Sequence, residues 1–198
     1  MTIFVIKNFL SIDECNTLNA WVETAVQNKW LDNGLSMPDA TWTETKRLTT
    51  RPYGDRFDYS PEVYAIQNKI TNFLKIENLE KSVAGGGKNG IVVSYTITGG
   101  NVHKHIDPKE GELEVLRCNV VSKNSEIGGE LFIGGEKIDI GVGDLHCYLP
   151  SDVEHYVTTT EGNTPRILWM FGYKCEKDRF DRLLSVETQE IIMEKDLT

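Results

Sequence analysis

Two histidines and an aspartate lie close together in the segment HKHIDP, residues 103–108, of a chain that contains only four histidines. Side chains two positions apart on a β-strand share a face, so His105 and Asp107 are placed to hold one cation together. A metal site needs a third ligand, and His155, which opens a strand-like segment after GDLHCYLPSDVE, is the candidate. Two histidines and one carboxylate form the facial triad of non-haem Fe(II) oxygenases, which leaves coordination positions open for other ligands.

The HxD pattern alone is weak evidence, because so short a motif matches by chance, and a turn with Asp107 as its cap is the alternative. Two further residues favour the metal site. Arg166 follows His155 by eleven residues in an apolar context, where a guanidinium needs an anionic partner such as a dicarboxylate co-substrate. Tyr95 precedes His105 by ten residues and offers a phenolic donor to the same carboxylate. A surface ion pair for Arg166 and core packing for Tyr95 are the alternatives.

Candidate substrate contacts lie in two places. Arg117 and Asn119 share one face of a predicted strand, which points either into the barrel or into solvent, and the sequence favours neither. The irregular segment 41–60 is rich in Arg, Thr and Tyr, and long loops of this kind are often binding elements. Arg47 and Arg51 are therefore candidates to receive an acidic substrate, with a solvated connection as the alternative.

The two remaining histidines have structural explanations. His103 follows a Gly-Gly turn, which predicts a surface position. His146 alternates with Cys147 and Tyr148 along a predicted strand, which predicts packing. Neither histidine is predicted to bind the metal.

The elements that must position these residues form three zones. Ser11 begins one predicted helix, SIDECNTLNAWVETAVQ, and Ser60 with Pro61 begins another, SPEVYAIQNKITNFLKI. Between Ile91 and Tyr173 the chain has many short strand-like segments separated by glycine turns, which predicts a sandwich or barrel. We therefore expect one α+β domain with a mainly β core: residues 1–82 as helical support and substrate lid, 83–175 as the core, and 176–198 as a C-terminal helix and tail.

Composition limits the classes of partner. The 198 residues carry a net charge of −9, with 39% hydrophobic and 26% charged residues, as in an ordinary globular protein. The acidic balance argues against nucleic acid as a partner. The sequence lacks a signal peptide and an apolar run of roughly 20 residues, so we expect a cytoplasmic protein with no membrane partner. The four cysteines form no CxxC pair, which favours reduced thiols over a zinc site. The oligomeric state stays open.

The stretch from Tyr95 to Tyr173 resembles the Fe(II)/2-oxoglutarate-dependent dioxygenases, in particular their prolyl-4-hydroxylase-like branch. The matching segments are YTITGGNVHKHIDP, RCNVV, GGELFI, IDIGVGDLHCYLPSDVEHYV and TPRILWMFGY. Each segment is short, but the order Y…HxD…GGEL…GD…H…R is specific as a set. The resemblance covers about 80 of the 198 residues.

The resemblance implies a double-stranded β-helix, or jelly roll, in which His105, Asp107 and His155 bind Fe(II). Arg166 would pair with the distal carboxylate of 2-oxoglutarate, and Tyr95 would assist. O2 would be the second co-substrate, with ascorbate as a supporting reductant. The implied reaction hydroxylates an unactivated C–H bond of a peptidyl or free amino acid and releases succinate and CO2.

Two departures bear on the substrate. Collagen-type prolyl hydroxylases commonly use lysine where this chain has Arg166, and the aromatic residue often found just before the HxD motif is absent. A small metabolite that is not an amino acid is therefore an alternative substrate. A cupin-like metalloenzyme that does not use 2-oxoglutarate is an alternative enzyme, and a jelly-roll binding module is a non-enzymatic one. Asp107 argues against a halogenase, which would lack this carboxylate.

Overall fold

The computed structural model describes residues 3–32, 46–50, 58–83 and 87–183. Its helices are α1 (Ile12–Gln27), α2 (Pro61–Leu74) and α3 (Lys177–Leu183). Its strands are β1 (Ile3–Ile6), β2 (Leu31–Asp32), β3 (Arg47–Thr50), β4 (Ile91–Thr96), β5 (Val102–His105), β6 (Glu114–Lys123), β7 (Ile127–Gly128), β8 (Leu131–Ile133), β9 (Glu136–Ile138), β10 (Leu145–Tyr148), β11 (His155–Val157), β12 (Thr160–Glu161) and β13 (Arg166–Cys175).

The two long helices begin where the sequence predicts. Ser11 and Glu14 form a capping box, in which the Glu14 N–H donates to Ser11 Oγ at 3.2 Å and the Ser11 N–H donates to Glu14 Oε2 at 2.8 Å. Pro61 occupies the first turn of α2 after Ser60, where its missing N–H leaves no hydrogen bond unmade. Lys75 ends α2 in the left-handed conformation, with φ of 54°.

The strands form a large and a small antiparallel sheet that face each other. The large sheet has the order β1-β10-β6-β13-β4-β3-β2, the small sheet has the order β5-β11-β8-β9, and β12 pairs with β7 in a separate ribbon. This arrangement confirms the predicted mainly β jelly roll flanked by helices. The expectation that the segment 41–60 is irregular is wrong in part, because its strand β3 pairs with β4 and, together with β2, extends the large sheet. The N-terminal segment likewise contributes a strand, β1, at the opposite edge.

Successive side chains of a strand point to opposite sides, so the large sheet has two different faces. One face packs against α1 and α2 in the main hydrophobic core, which includes Leu18, Val22, Ile70, Cys118, Val120, Trp169 and Phe171. The other face turns toward the small sheet and carries the polar residues of the same strands, including Arg117 and Asn119 of β6. The parity of a residue on its strand therefore decides whether its side chain reaches the space between the sheets.

Other expectations concern the cysteines and the chain end. All four cysteines are buried free thiols, as predicted. Helix α3 confirms the start of the predicted C-terminal helix, while residues 184–198 lie outside the described part of the chain. In the ranges that the structure describes, the helices are too short or too polar to cross a lipid bilayer.

Candidate metal centre

His105, Asp107 and His155 converge at one point, with one ligand atom of each lying within 4.8 Å of the other two. His105 is directly opposite His155 in the β5–β11 pair, and their ring centroids are 4.3 Å apart. Asp107 follows the end of β5, where its backbone N–H donates to the Pro150 carbonyl at 3.0 Å. Its Oδ1 lies 3.1 Å from His105 Nε2 and 4.0 Å from His155 Nε2. Ligands that lie about 2.1 Å from a metal at right angles to each other are about 3 Å apart, so the set fits one cation.

Backbone carbonyls orient both imidazoles in the same way. His105 Nδ1 lies 2.6 Å from the His103 carbonyl oxygen, and His155 Nδ1 lies 3.1 Å from the Val153 carbonyl oxygen. A carbonyl accepts only, so each Nδ1 carries a proton and each Nε2 faces Asp107. His105 Nε2 donates to the carboxylate when its ring is protonated, and each Nε2 offers a lone pair to a metal when its ring is neutral. Neutral imidazoles with this tautomer are the form that binds metals, held by a hydrogen bond at the opposite nitrogen.

The electrostatics keep a negative charge at the centre. Burial disfavours ionised Asp107, but the His105 hydrogen bond and the nearby Arg117 outweigh it and lower the pKa of Asp107. Burial and the neighbouring His105 lower the pKa of His155, so this imidazole favours its neutral form. Burial also opposes protonation of His105, but its hydrogen bond with Asp107 raises the pKa of His105. A carboxylate between two imidazoles is thus held ready for a cation.

The triad lies in the wall of a cavity of about 200 Å³ between the two sheets. This volume is below the roughly 300–1,000 Å³ of sites for drug-sized ligands, and it suits a small co-substrate with one substrate group. Leu131, Val157 and Leu168 contribute apolar surface. Its other polar lining includes Arg47, Arg117, Asn119, His146 and Tyr148.

Arg166 is buried on the cavity-facing side of β13, which it shares with the lining residues Leu168 and Met170. Its Nε makes no hydrogen bond within the described ranges. Burial, followed by the charge of Arg47, lowers the pKa of Arg166 to about 10, so the guanidinium still carries its charge at neutral pH. The expectation of an Arg166 surface ion pair is thereby excluded, and the group is available to an anion in the cavity.

The structure places Tyr95 away from the cavity. Tyr95 pairs with Ile167, one residue beyond Arg166, and packs beside the main core on the helix side of the sheet. Since adjacent residues on a strand point to opposite faces, Tyr95 cannot share the cavity with Arg166. A different phenol lies in the cavity wall: Tyr148, which is buried and packs edge-on to His155 at 5.4 Å.

The candidate substrate residues have different outcomes. Arg117 and Asn119 are buried and line the cavity, so the solvated alternative does not hold. Arg117 Nη2 lies 3.8 Å from Asp107 Oδ2. Arg47 is half-buried on β3, lines the cavity and donates from Nε to Ser94 Oγ at 2.6 Å. Arg51 lies outside the described residues.

His146 is a cavity residue that the sequence did not identify. It is buried, and burial together with the charge of Arg166 lowers its pKa to about 3, which keeps the imidazole neutral. Asn119 Nδ2 donates to His146 Nε2 at 3.3 Å, which assigns the proton to Nδ1. Nδ1 makes no hydrogen bond within the described residues. The sequence signal was its alternation with Cys147, since one residue of such a pair must face the cavity. His103, in contrast, is exposed as predicted.

Both groups implied by the sequence fit these residues. Two Nε2 lone pairs and a carboxylate suit a divalent first-row metal with open positions. A buried guanidinium on the cavity-facing side of β13 and a phenol in the cavity wall suit a dicarboxylate such as 2-oxoglutarate.

Comparison with known proteins places the fold. No protein-family model matches the sequence, and no curated protein is similar to it. Among solved structures, the viral collagen prolyl hydroxylase of Paramecium Bursaria Chlorella virus-1, in its 2-oxoglutarate complex, has a TM-score of 0.60 at 17% identity, over 89% of this chain and 97% of that one.

Two cellular proteins are similar to the same extent. A prolyl-4-hydroxylase of Pseudomonas putida has a TM-score of 0.58 at 15% identity, over 88% of this chain and 92% of that one. A prolyl hydroxylase of Trichoplax adhaerens is bound to a peptide fragment of the hypoxia inducible factor oxygen degradation domain. It has a TM-score of 0.63 at 16% identity, over 89% of this chain and 85% of that one. The chain therefore has the fold of the prolyl hydroxylases, which confirms the fold expected from the resemblance in its sequence.

Proposed function

We propose that this protein is an Fe(II)- and 2-oxoglutarate-dependent dioxygenase that hydroxylates an unactivated C–H bond of an amino acid, either free or within a peptide. The observation that carries the proposal is the convergence of His105, Asp107 and His155 on a cavity between the sheets, with the buried cation Arg166 on the cavity-facing side of β13. The prolyl hydroxylase fold supports the same activity.

Each residue has a role in this proposal. The two Nε2 atoms and the Asp107 carboxylate hold the iron, while the carbonyls of His103 and Val153 fix the imidazole rings. Arg166 binds the distal carboxylate of 2-oxoglutarate. When bound, iron supplies the oxidation of 2-oxoglutarate by O2, which yields succinate, CO2 and a hydroxylated substrate.

Tyr148 takes the place that the sequence gave to Tyr95, as a phenolic donor to the co-substrate. Burial raises the pKa of Tyr148, so its hydroxyl stays protonated and able to donate. The adjacent apolar residues Leu131 and Val157 keep water from competing for the same carboxylate.

A cupin-like enzyme without 2-oxoglutarate would leave Arg166 without a purpose. A buried guanidinium with no anionic partner is costly to keep, and such groups persist where a ligand supplies the missing charge. A binding module without a metal would similarly bury two imidazoles and a carboxylate at a cost in stability. The charge distribution of the cavity therefore favours the oxygenase.

The test is succinate formation. The protein is incubated in air with Fe(II), ascorbate and 2-oxoglutarate, first alone and then with free amino acids and proline-containing peptides. We expect slow succinate formation by the protein alone, acceleration by a true substrate, and loss of both in Asp107→Ala, with circular dichroism confirming that the variant is folded. Succinate formation no faster than in Asp107→Ala under every condition would contradict the proposal.

A further inference from the structure

The cavity has more positive charge than 2-oxoglutarate requires. Arg47 and Arg117 line it, and Arg166 lies on the same face of the large sheet. Asp107 is the one carboxylate among the lining residues that the structure describes. Fe(II) and a 2-oxoglutarate dianion cancel each other in charge, so loading the site leaves the excess of arginine unchanged. This excess occurs in a protein whose net charge is −9.

The three arginines are on the cavity-facing side of the large sheet, and all three act on the buried phenol of Tyr148. Arg117 is opposite Gly172 in the β6–β13 pair, and Arg166 lies six residues earlier on β13, so their backbones are about 20 Å apart along the strand. Arg117 is at the metal end, beside Asp107. Arg166 is at the far end, where 2-oxoglutarate places its distal carboxylate in the function proposed above. Arg117 is accounted for by Asp107 and Arg166 by the proposed co-substrate, which leaves Arg47 without an anionic partner among the described residues.

The backbone of Arg47 lies at the level of Arg166, and its side chain runs from there toward the metal end. It is opposite Thr96 in the β3–β4 pair, as Arg166 is in the β4–β13 pair, and its Nε bond to Ser94 directs it along β4. Burial lowers the pKa of Arg47, Asp107 opposes this effect and Arg117 adds to it, so its guanidinium senses the metal end of the cavity.

Arg47 has no carboxylate partner within ion-pair distance among the described residues, and its hydrogen bond goes to a neutral hydroxyl. A half-buried cation beside two other cations is an unfavourable arrangement in the empty protein. A substrate anion placed next to the metal would offset this repulsion between the cations.

We propose that Arg47, with Arg117 beside it, binds a carboxylate of the primary substrate, so that the enzyme acts on a carboxylate-bearing molecule and not on an uncharged prolyl residue. This inference rests on the proposed function, since the arginine pair serves a substrate that reacts at the His105–Asp107–His155 centre. Two sources supply such a carboxylate: the α-carboxylate of a free amino acid and the side chain of an acidic residue in a peptide.

The experiment uses Mn(II) in place of iron, so that binding is measured without turnover. The Mn(II) protein is first titrated with 2-oxoglutarate by calorimetry. The loaded protein is then titrated with free L-amino acids, with the carboxamide of each, and with an acetylated, amidated glutamyl peptide. We expect an acid to bind about tenfold or more tightly than its neutral counterpart, as for a charge-assisted contact. Whether a free acid or the glutamyl peptide binds identifies the source of the carboxylate.

Arg47→Gln is the decisive variant, because Arg47 contacts no metal ligand. We expect it to abolish the preference for acids and to leave 2-oxoglutarate affinity within about threefold of wild type, whereas Arg47→Lys retains part of the preference. Lys46→Gln removes the same charge from the adjacent exposed residue and serves as the matched control, with the preference retained. Melting curves of the metal-free variants confirm folding.

Three results would overturn the inference. No acid binds more tightly than its neutral counterpart, or the preference for acids survives in Arg47→Gln. Alternatively, Arg47→Gln lowers the affinity for 2-oxoglutarate as much as it lowers the affinity for the acid. The last result would assign Arg47 to the co-substrate. Failure of the first titration, with no 2-oxoglutarate bound to the Mn(II) protein, would instead contradict the proposed function itself, so the two failures are distinct.

Discussion

Replacing Arg166 by methionine should have opposite effects on ligand affinity and on stability. Arg166 is 3% exposed, and its Nε has no partner within the described residues. Methionine has a similar length and flexibility and fills the same space without charge. The free energy of unfolding of the empty protein should therefore stay the same or rise. The protein with bound 2-oxoglutarate should lose its main contact to the distal carboxylate.

Both magnitudes follow from burial. A pKa lowered from 12.5 to about 10 means that the folded protein disfavours the charged form of Arg166 by about 3 kcal/mol. The empty Arg166→Met variant should thus be between equally stable and about 3 kcal/mol more stable than wild type, as for buried charges replaced by apolar residues. A buried guanidinium–carboxylate contact contributes about 3 kcal/mol, so 2-oxoglutarate affinity should fall by roughly 100-fold.

Two assays measure these effects. Chemical denaturation of the metal-free protein gives the free energy of unfolding, and calorimetric titration of the Mn(II) protein gives 2-oxoglutarate affinity. Arg179→Met, on α3 and hydrogen-bonded to Asn78 far from the cavity, is the control and should leave affinity unchanged. The reasoning is refuted if Arg166→Met binds 2-oxoglutarate as wild type does. It is also refuted if the empty variant is destabilised by several kcal/mol, since Arg166 would then have a partner in the protein.

Two further predictions concern Tyr148 and Asp144. Tyr148→Phe should weaken 2-oxoglutarate binding by about tenfold, because one hydrogen bond is lost, whereas Tyr95→Phe should leave it unchanged. Calorimetry measures both affinities, and equal effects of the two variants would show that the phenols are misassigned. Asp144→Ala should lower the free energy of unfolding by about 2–3 kcal/mol, because the buried carboxylate accepts hydrogen bonds from Asn8 N, Gly141 N and Lys7 Nζ. Burial opposes its ionisation, but these bonds lower the pKa of Asp144, so the stabilisation is present above its ordinary pKa of 3.8 and is lost as the pH falls through the folded value. Urea denaturation from pH 7 to pH 3 tests this: the difference between wild type and Asp144→Ala should shrink with acid, and a constant difference would contradict the assignment.

The candidate metal ligands were predictable from sequence because their geometry is local. His105 and Asp107 are two residues apart, and His155 opens a strand that pairs with the one ending at His105. The alternation of polar and apolar residues similarly placed Arg117 and Asn119 on one face. The helix starts were encoded by Ser11 and by Ser60 with its proline, which are local signals of the same kind.

The remaining features depend on pairing between distant strands. Nothing in IVVSYTI decides which face Tyr95 occupies, since both faces of β4 are apolar or small; the register against β13, with Thr96 opposite Arg166, decides it. Strand β3 is short and polar and is held by its pairing with β4, so its sequence resembles a loop. His146 was expected to pack because alternation along β10 does not reveal that this face of the strand opens onto a cavity, which the strands of the small sheet close from the other side.

The most direct test of the central claim is anaerobic titration with Fe(II) and 2-oxoglutarate, monitored for the weak visible charge-transfer band of the chelated pair. Wild type and Asp107→Ala are measured side by side. The account predicts a band in wild type that is absent from the variant. Iron bound by wild type with no band on addition of 2-oxoglutarate would contradict it and would favour a metalloenzyme that does not use this co-substrate.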